Sequence, residues 1–216
     1  MTVNIDFANK TVKRHLEDEN RKCVKETGGW FGLTGILVEE HWNAWRNMLK
    51  SRSPFVIGEI DEDSFKEIKH RVSGLTYHDP KRACNIWAQF GDIFDCLSRV
   101  EPAEVNLFRY GHLDFCRTSK VLVREHKLIE KLSWLSRWNN LKSPFYLDVT
   151  FSVRGDGGEY RMYTCMMESM IPTIFNNAGW GIINPKRHLL GQRFVNEYRE
   201  PRQNPMVNAI YKFVKE

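Results

Sequence analysis

The chain has 216 residues, with 32 Lys+Arg against 27 Asp+Glu, a net charge of +5 and a pI near 8.9. At about 150 residues per domain this length suggests a single domain over 1–216, with a mainly helical part at 1–80 and a sheet-containing core at 85–216. A content of 42% hydrophobic and 12% aromatic residues fills a core without disulfide or metal staples and excludes general disorder. No apolar run approaches the ~20 residues of a membrane span. The first twenty residues lack the apolar segment of a secretory signal, and Cys23, Cys84, Cys96, Cys116 and Cys165 form no C-x2-C pair. A cytoplasmic protein with no metal is expected.

In chain order, Thr11–Lys25 is polar with sparse apolar positions, and Gly28-Gly29-Trp30-Phe31-Gly32 breaks it. Val38, Trp42, Trp45 and Leu49 then mark one face of an amphipathic helix. Phe65, Ile68 and Val72 mark a second helix, with Asp61 able to cap its start. The acidic run Glu59-x-Asp61-Glu62-Asp63 suits that helix start better than a metal site. Asn85–Phe90, Gly91-Asp92 and Ile93–Val100 read as two strands joined by a tight turn. Gly111–Val123 alternates like a strand, and Leu128, Ile129, Leu132 and Leu135 give a helix within Arg124–Trp138.

Phe145–Val153 is the strongest strand signal. A turn at Arg154–Gly158 leads to a short strand at Tyr160–Met166. A helix from about Ser169 to Asn177 stops at Gly179, in the position of a left-handed cap. Late strands follow at Trp180–Ile183 and Gln192–Tyr198. The fold expected from this order is α+β, with a mixed, mainly antiparallel sheet and helices on both faces.

That order, together with Met167–Trp180 (MESMIPTIFNNAGW), resembles the GNAT-type acyltransferase superfamily. Within it, the Met-rich helix ending in Ala-Gly-Trp is similar to acyl-homoserine-lactone synthases. The resemblance follows the elements over about residues 85–183, but the glycine-rich pyrophosphate loop of the superfamily is replaced by Val121–His126. Phe175 stands where many of these enzymes carry a Tyr acid, and the lactone synthases' N-terminal Arg-Phe-Trp set is matched only loosely by Arg21 and Trp30.

The resemblance implies attack of a small-molecule amine on an acyl-CoA or acyl-carrier-protein thioester, with S-adenosylmethionine in the lactone-forming version. It makes Asp114 or Glu104 the base that accepts the ammonium proton. Arg117 would hold a substrate carboxylate, and Val123, Arg124, Lys127 and Trp180 would line the cofactor site. Read from spacing alone, Asp114 and Arg117 point to opposite faces of a strand and need not interact.

The rival class is a nucleic-acid-binding or nucleic-acid-modifying protein. Arg137, Trp138, Lys142, Lys186, Arg187, Arg193, Arg199 and Arg202 give the second half a basic cast interleaved with aromatics. A third reading is a non-catalytic interaction protein on the same fold. The seven His are scattered without metal-ligand spacing; His112, Asp114 and Cys116 share one face of a strand as a polar stripe.

Overall fold

The structure is a computed structural model that describes residues 21–22, 24, 26–49, 53–80, 85–101, 107–115, 119–152, 165–183 and 206–215. Strands are β1 (Gly29–Gly32), β2 (Phe55–Glu59), β3 (Ile86–Phe90), β4 (Phe108–Phe115), β5 (Leu141–Ser152), β6 (Trp180–Ile182) and β7 (Met206–Lys215). Helices are α1 (Val38–Trp45), α2 (Glu62–His78), α3 (Ile93–Ser98), α4 (Ser119–Arg124), α5 (Leu128–Arg137) and α6 (Ile171–Asn176), the last entered through a π-helical turn at Met166–Met170. The strands form one seven-stranded sheet in the order β3-β2-β1-β4-β5-β7-β6. β1 to β5 are mutually parallel, and β7 runs antiparallel between β5 and β6.

Mixed strands and helices with helices on both faces stand as expected, but the mainly antiparallel sheet is corrected to a mainly parallel one. The physical reason lies in burial. Trp30, Phe55, Ile57, Tyr110, Tyr146 and Ile210 pack on one face against α1 and α2, through Trp42, Trp45 and Ile68. Phe31, Val56, Leu113, Leu147, Val149, Phe151 and Phe213 pack on the other, against Leu97 of α3, Leu132 and Leu135 of α5, and Phe175 of α6. A strand covered on both faces needs no polar alternation, so it carries no period-two signal.

Two such strands, β1 and β2, occupy segments that periodicity reads as loop or helix boundary. The supposed hairpin at Gly91-Asp92 is a strand followed by a helix. Asp92 caps α3 by accepting the Phe94 N–H at 2.9 Å, and Ile93, Phe94, Cys96 and Leu97 are buried at helical spacing. The strand expected over Gly111–Val123 ends at Phe115, with α4 beginning at Ser119.

Other expectations hold. Asp61 is the N-cap of α2, accepting the Ser64 N–H at 2.8 Å. Gly179, at φ +83°, follows α6 and leads directly into β6. The strand expected at Gln192–Tyr198, the turn at Arg154–Gly158 and most of the helix at Thr11–Lys25 and the strand at Tyr160–Met166 lie outside the described residues. Among the described residues no helix is long and apolar enough to cross a membrane.

Candidate functional site

The strand order places β1 beside β4, with β2 and β3 stepping away on one side and β5, β7 and β6 on the other. The crossovers leave β1 and β4 in opposite directions, so a crevice opens at their carboxyl ends. Ligands of open, doubly wound sheets bind at such a switch point.

The chain leaves β1 through Leu33–Leu37 and enters α1. Gly32 is required by close approach, since a Cβ there would stand 2.5 Å from the His112 carbonyl oxygen of β4 and 2.7 Å from the Trp30 ring. Leu33 N–H donates to that same carbonyl at 3.0 Å and pins the start of the loop. Thr34 is buried and donates its hydroxyl to the Gly35 carbonyl at 2.8 Å. Gly35 turns the chain at φ +50°, and a Cβ there would meet nothing within 4 Å. Its outer side is therefore open to a ligand. The first turn of α1 carries Glu39 and Glu40. Acidic residues suit a helix start, and Glu39 is held by Arg71 of α2 at 3.2 Å.

β2 ends in Glu59, half-buried, whose Oε1 accepts the Asp61 N–H at 2.9 Å and whose carbonyl accepts the Gly91 N–H at 2.8 Å. Two apolar side chains stand out of the core beside it, Ile60 at 58% exposure and Phe90, the end of β3, at 50%. Phe90 leans on Phe65 of α2, ring centroids 5.5 Å apart. Asp92 is occupied differently. Beyond capping α3, its Oδ2 takes the Lys131 ammonium at 2.9 Å, so it serves the scaffold.

Behind the loop lies a buried polar cluster on the α1 side. Asp148 of β5, 1% exposed, accepts the Tyr110 hydroxyl at 3.0 Å and faces His112 Nδ1 at 3.1 Å. The His41 ring of α1 stands 5.3 Å from the His112 ring, with Trp30 6.0 Å from His41. These groups tie β1, β4, β5 and α1 together directly beneath the crevice.

The residues singled out from sequence are distributed as follows. Asp114 lies one residue from the carboxyl end of β4, half-buried and in register with Thr150. Val123 and Arg124 end α4, and Lys127, at φ +51°, precedes α5, so these three also lie on the carboxyl side of the sheet. Trp180 begins β6 at the opposite, amino-terminal edge. It is 3% exposed and its indole N–H donates to the Ser136 carbonyl at 2.7 Å, a packing role. Phe175 is fully buried and stacks on Phe213 at 4.0 Å. Glu104, Arg117 and Cys116 lie outside the described residues, as do Lys186, Arg187, Arg193, Arg199 and Arg202 of the basic half. Among the described residues no group of three His, Cys, Asp or Glu is placed to hold a metal.

Sequence reasoning missed Gly35, Glu59 and Ile60. The available signal was Gly32-Leu33-Thr34-Gly35 between an apolar run and a helix, with a second apolar run, Phe55–Gly58, closed by a carboxylate. Read as the start of a helix, that acidic run hid Glu59 among its capping neighbours.

Neither a protein-family model nor a curated relative matches the sequence. Solved structures do match the fold. A candidate rRNA methylase from Clostridium thermocellum is similar at 9% identity, with TM-score 0.58, over 94% of this chain and 96% of its own. The N-methyltransferase NodS from Bradyrhizobium japonicum is similar at 10% identity, with TM-score 0.57, over 98% and 99%. A candidate methyltransferase from Streptococcus mutans, solved in complex with SAH, is similar at 8% identity, with TM-score 0.51, over 93% and 97%. These likenesses overturn the resemblance to GNAT acyltransferases and acyl-homoserine-lactone synthases, and with it the acyl-CoA or carrier-protein thioester and the acyl-transfer reaction. What these structures share with the chain is its fold, over nearly its whole length.

Proposed function

We propose that the carboxyl edge of the sheet binds S-adenosylmethionine and that the chain transfers its methyl group to a nucleophile held near the end of β4. The observation that carries this reading is the sheet itself. The order β3-β2-β1-β4-β5-β7-β6 with β7 antiparallel, in a fold similar over nearly the whole chain to solved structures named as methylases and methyltransferases, sets a glycine turn after β1 beside a carboxylate at the end of β2.

The residues present fit that donor. Glu59 is placed to accept hydrogen bonds from a ribose diol, as the acidic residue at the corresponding strand end does in dinucleotide-binding sheets. Ile60 and Phe90 supply the apolar shelf that a purine needs and explain why two large apolar groups stand out of the core. Gly35 lets the backbone approach the amino-acid part of the donor closely.

When bound, the donor supplies a methyl group activated on a sulfonium. The protein's tasks are alignment of the acceptor and removal of its proton. Asp114 is the carboxylate we assign to the second task, since an amine attacks only as the free base. The buried Tyr110–Asp148–His112 group fixes the strands that carry the crevice. The nucleic-acid-modifying alternative read from the sequence fits a methyl-transfer enzyme, and one fold neighbour is named as an rRNA methylase.

The test is a thermal-shift comparison of S-adenosylmethionine with acetyl-CoA. A ligand at about 100 times its Kd stabilises by about 2.7 kcal/mol, or roughly 5–10 °C in Tm for a domain of this size. The donor should give that shift and acetyl-CoA none. A shift with acetyl-CoA alone, or none with the donor at millimolar concentration, overturns the proposal.

A further inference from the structure

A second, separate feature lies at the opposite edge of the sheet. α5 must return the chain from the carboxyl end of β4 to the start of the parallel β5, so its last turn and residues 138–140 stand at the amino-terminal edge. Along α5 an open groove of about 660 Å³ runs from Ile129 and Glu130 in its first turn to Ser133, Trp134, Arg137 and Trp138 at that edge.

Its wall is a ladder of rings. Trp134 stacks on Trp138 at 5.5 Å and 28°, and Trp138 stacks on Phe108 at 5.1 Å and 28°. Phe108 in turn meets Phe31 edge-on at 5.7 Å. Phe108 and Phe31 are fully buried, whereas Trp134 is 36% exposed. The ladder is thus anchored in the core and ends in solvent, a stacking surface already ordered before any ligand arrives.

The charged groups of the lining are Glu130 and Arg137; Arg137 is exposed and pairs with no acidic side chain among the described residues, and the exposed Lys142 follows two residues after Asn140 of the lining. Ser133 and Asn139 offer hydroxyl and amide groups to the edge of a planar ligand. Glu130 lies at the far end of the groove, within 3.9 Å of Lys127. A basic peptide is disfavoured by Arg137, and an apolar helix would find a polar rim. A planar base joined to an anionic backbone satisfies both the rings and Arg137.

We propose that this groove binds single-stranded nucleic acid, with one base stacked on Trp134 and a phosphate beside it held by Arg137. The proposal uses no residue of the carboxyl edge and stands apart from the donor reading. It also absorbs Arg137 and Trp138, two of the basic and aromatic residues on which the nucleic-acid reading of the sequence began.

The test is fluorescence anisotropy of a labelled oligothymidylate of about twelve nucleotides with the full chain, between roughly 50 and 200 mM salt. Saturable binding that weakens with salt is expected. Trp134→Ala should weaken it about 5-fold or more, since one stacked base is worth about 1–3 kcal/mol. Trp134→Phe should keep most of the affinity, and Arg137→Gln should lower the salt slope by about 0.7–1. Melting curves verify that each variant is folded, and S-adenosylmethionine affinity measured on the same preparations should be unchanged. Absence of saturable binding, or binding that Trp134→Ala and Arg137→Gln leave intact, overturns the proposal. A failure here with normal donor binding leaves the methyl-transfer reading standing, and the converse result separates the two equally well.

Discussion

Replacing Gly32 by alanine tests how tightly the switch point is built. The added methyl would lie 2.5 Å from the His112 carbonyl oxygen, 2.7 Å from Trp30 Cη2 and 2.9 Å from Trp30 Cζ2. Ordinary contacts begin near 3.4 Å, so the His112 carbonyl must recede by about 0.9 Å and Trp30 must move as well. Trp30 has little freedom, being 1% exposed and stacked on Phe55 at 4.1 Å. The carbonyl is held by the Leu33 N–H at 3.0 Å, so moving it weakens that bond too.

Overpacking of this kind costs about 1–3 kcal/mol, and a weakened hydrogen bond adds about 0.5–1.5 kcal/mol. A loss of about 2–4 kcal/mol lowers Tm by roughly 4–16 °C in a chain of this length. Differential scanning calorimetry without ligand measures it directly. A Tm within about 2 °C of wild type would show that β1 and β4 are not packed as described.

Gly74, inside α2, presents the opposite case, because a Cβ there meets nothing within 4 Å. Gly74→Ala should stabilise by about 0.5–1 kcal/mol, read as a rise of roughly 1–4 °C in Tm. Burial raises the Cys96 thiol to about 11, whereas Cys165 is exposed. Peptide mapping after iodoacetamide treatment of native protein at about pH 8 should therefore show Cys165 alkylated and Cys96 spared, since thiolate is the reactive form.

Asp61 caps α2, and the Ser64 backbone N–H holds its carboxyl below the usual value of 3.8. Its contribution is present above the unfolded-state pKa and disappears as pH falls through the lowered one. Asp61→Ala should melt below wild type at neutral pH, and the two curves should converge under acid.

What the sequence disclosed and what it hid divide along solvent exposure. α1, α2 and α5 each keep one face outside, so Trp42 and Trp45, Phe65 and Ile68, and Leu128, Leu132 and Leu135 stand at helical spacing against polar neighbours. β1 and β2 have no outside face. Gly29–Gly32 is buried throughout and Phe55–Gly58 likewise, so neither alternates. Ile93–Ser98 is short enough for its apolar residues to pass for a strand, and only the Asp92 cap marks it as a helix.

Without β1 and β2 the parallel register is not legible either, and the element order that remains resembles the GNAT-type superfamily. The site suffered for the same reason. Asp114 stands at the end of a strand that alternates enough to be recognised, whereas Gly35 and Glu59 gain their meaning only from β1 and β2. Trp180, drawn in by the Ala-Gly-Trp resemblance, is held by Ser136 at the other end of the sheet.

The central claim is that the carboxyl edge binds S-adenosylmethionine through Glu59, and isothermal titration of the full chain tests it most directly. The reaction product S-adenosylhomocysteine is the better titrant, because it cannot donate a methyl group during the measurement. The account predicts saturable binding of one equivalent, weakened about tenfold or more in Glu59→Gln, as expected for loss of about 1.4 kcal/mol or more of charge-assisted hydrogen bonding. Absence of saturable binding by the folded wild-type chain, or an affinity that Glu59→Gln leaves unchanged, would contradict it.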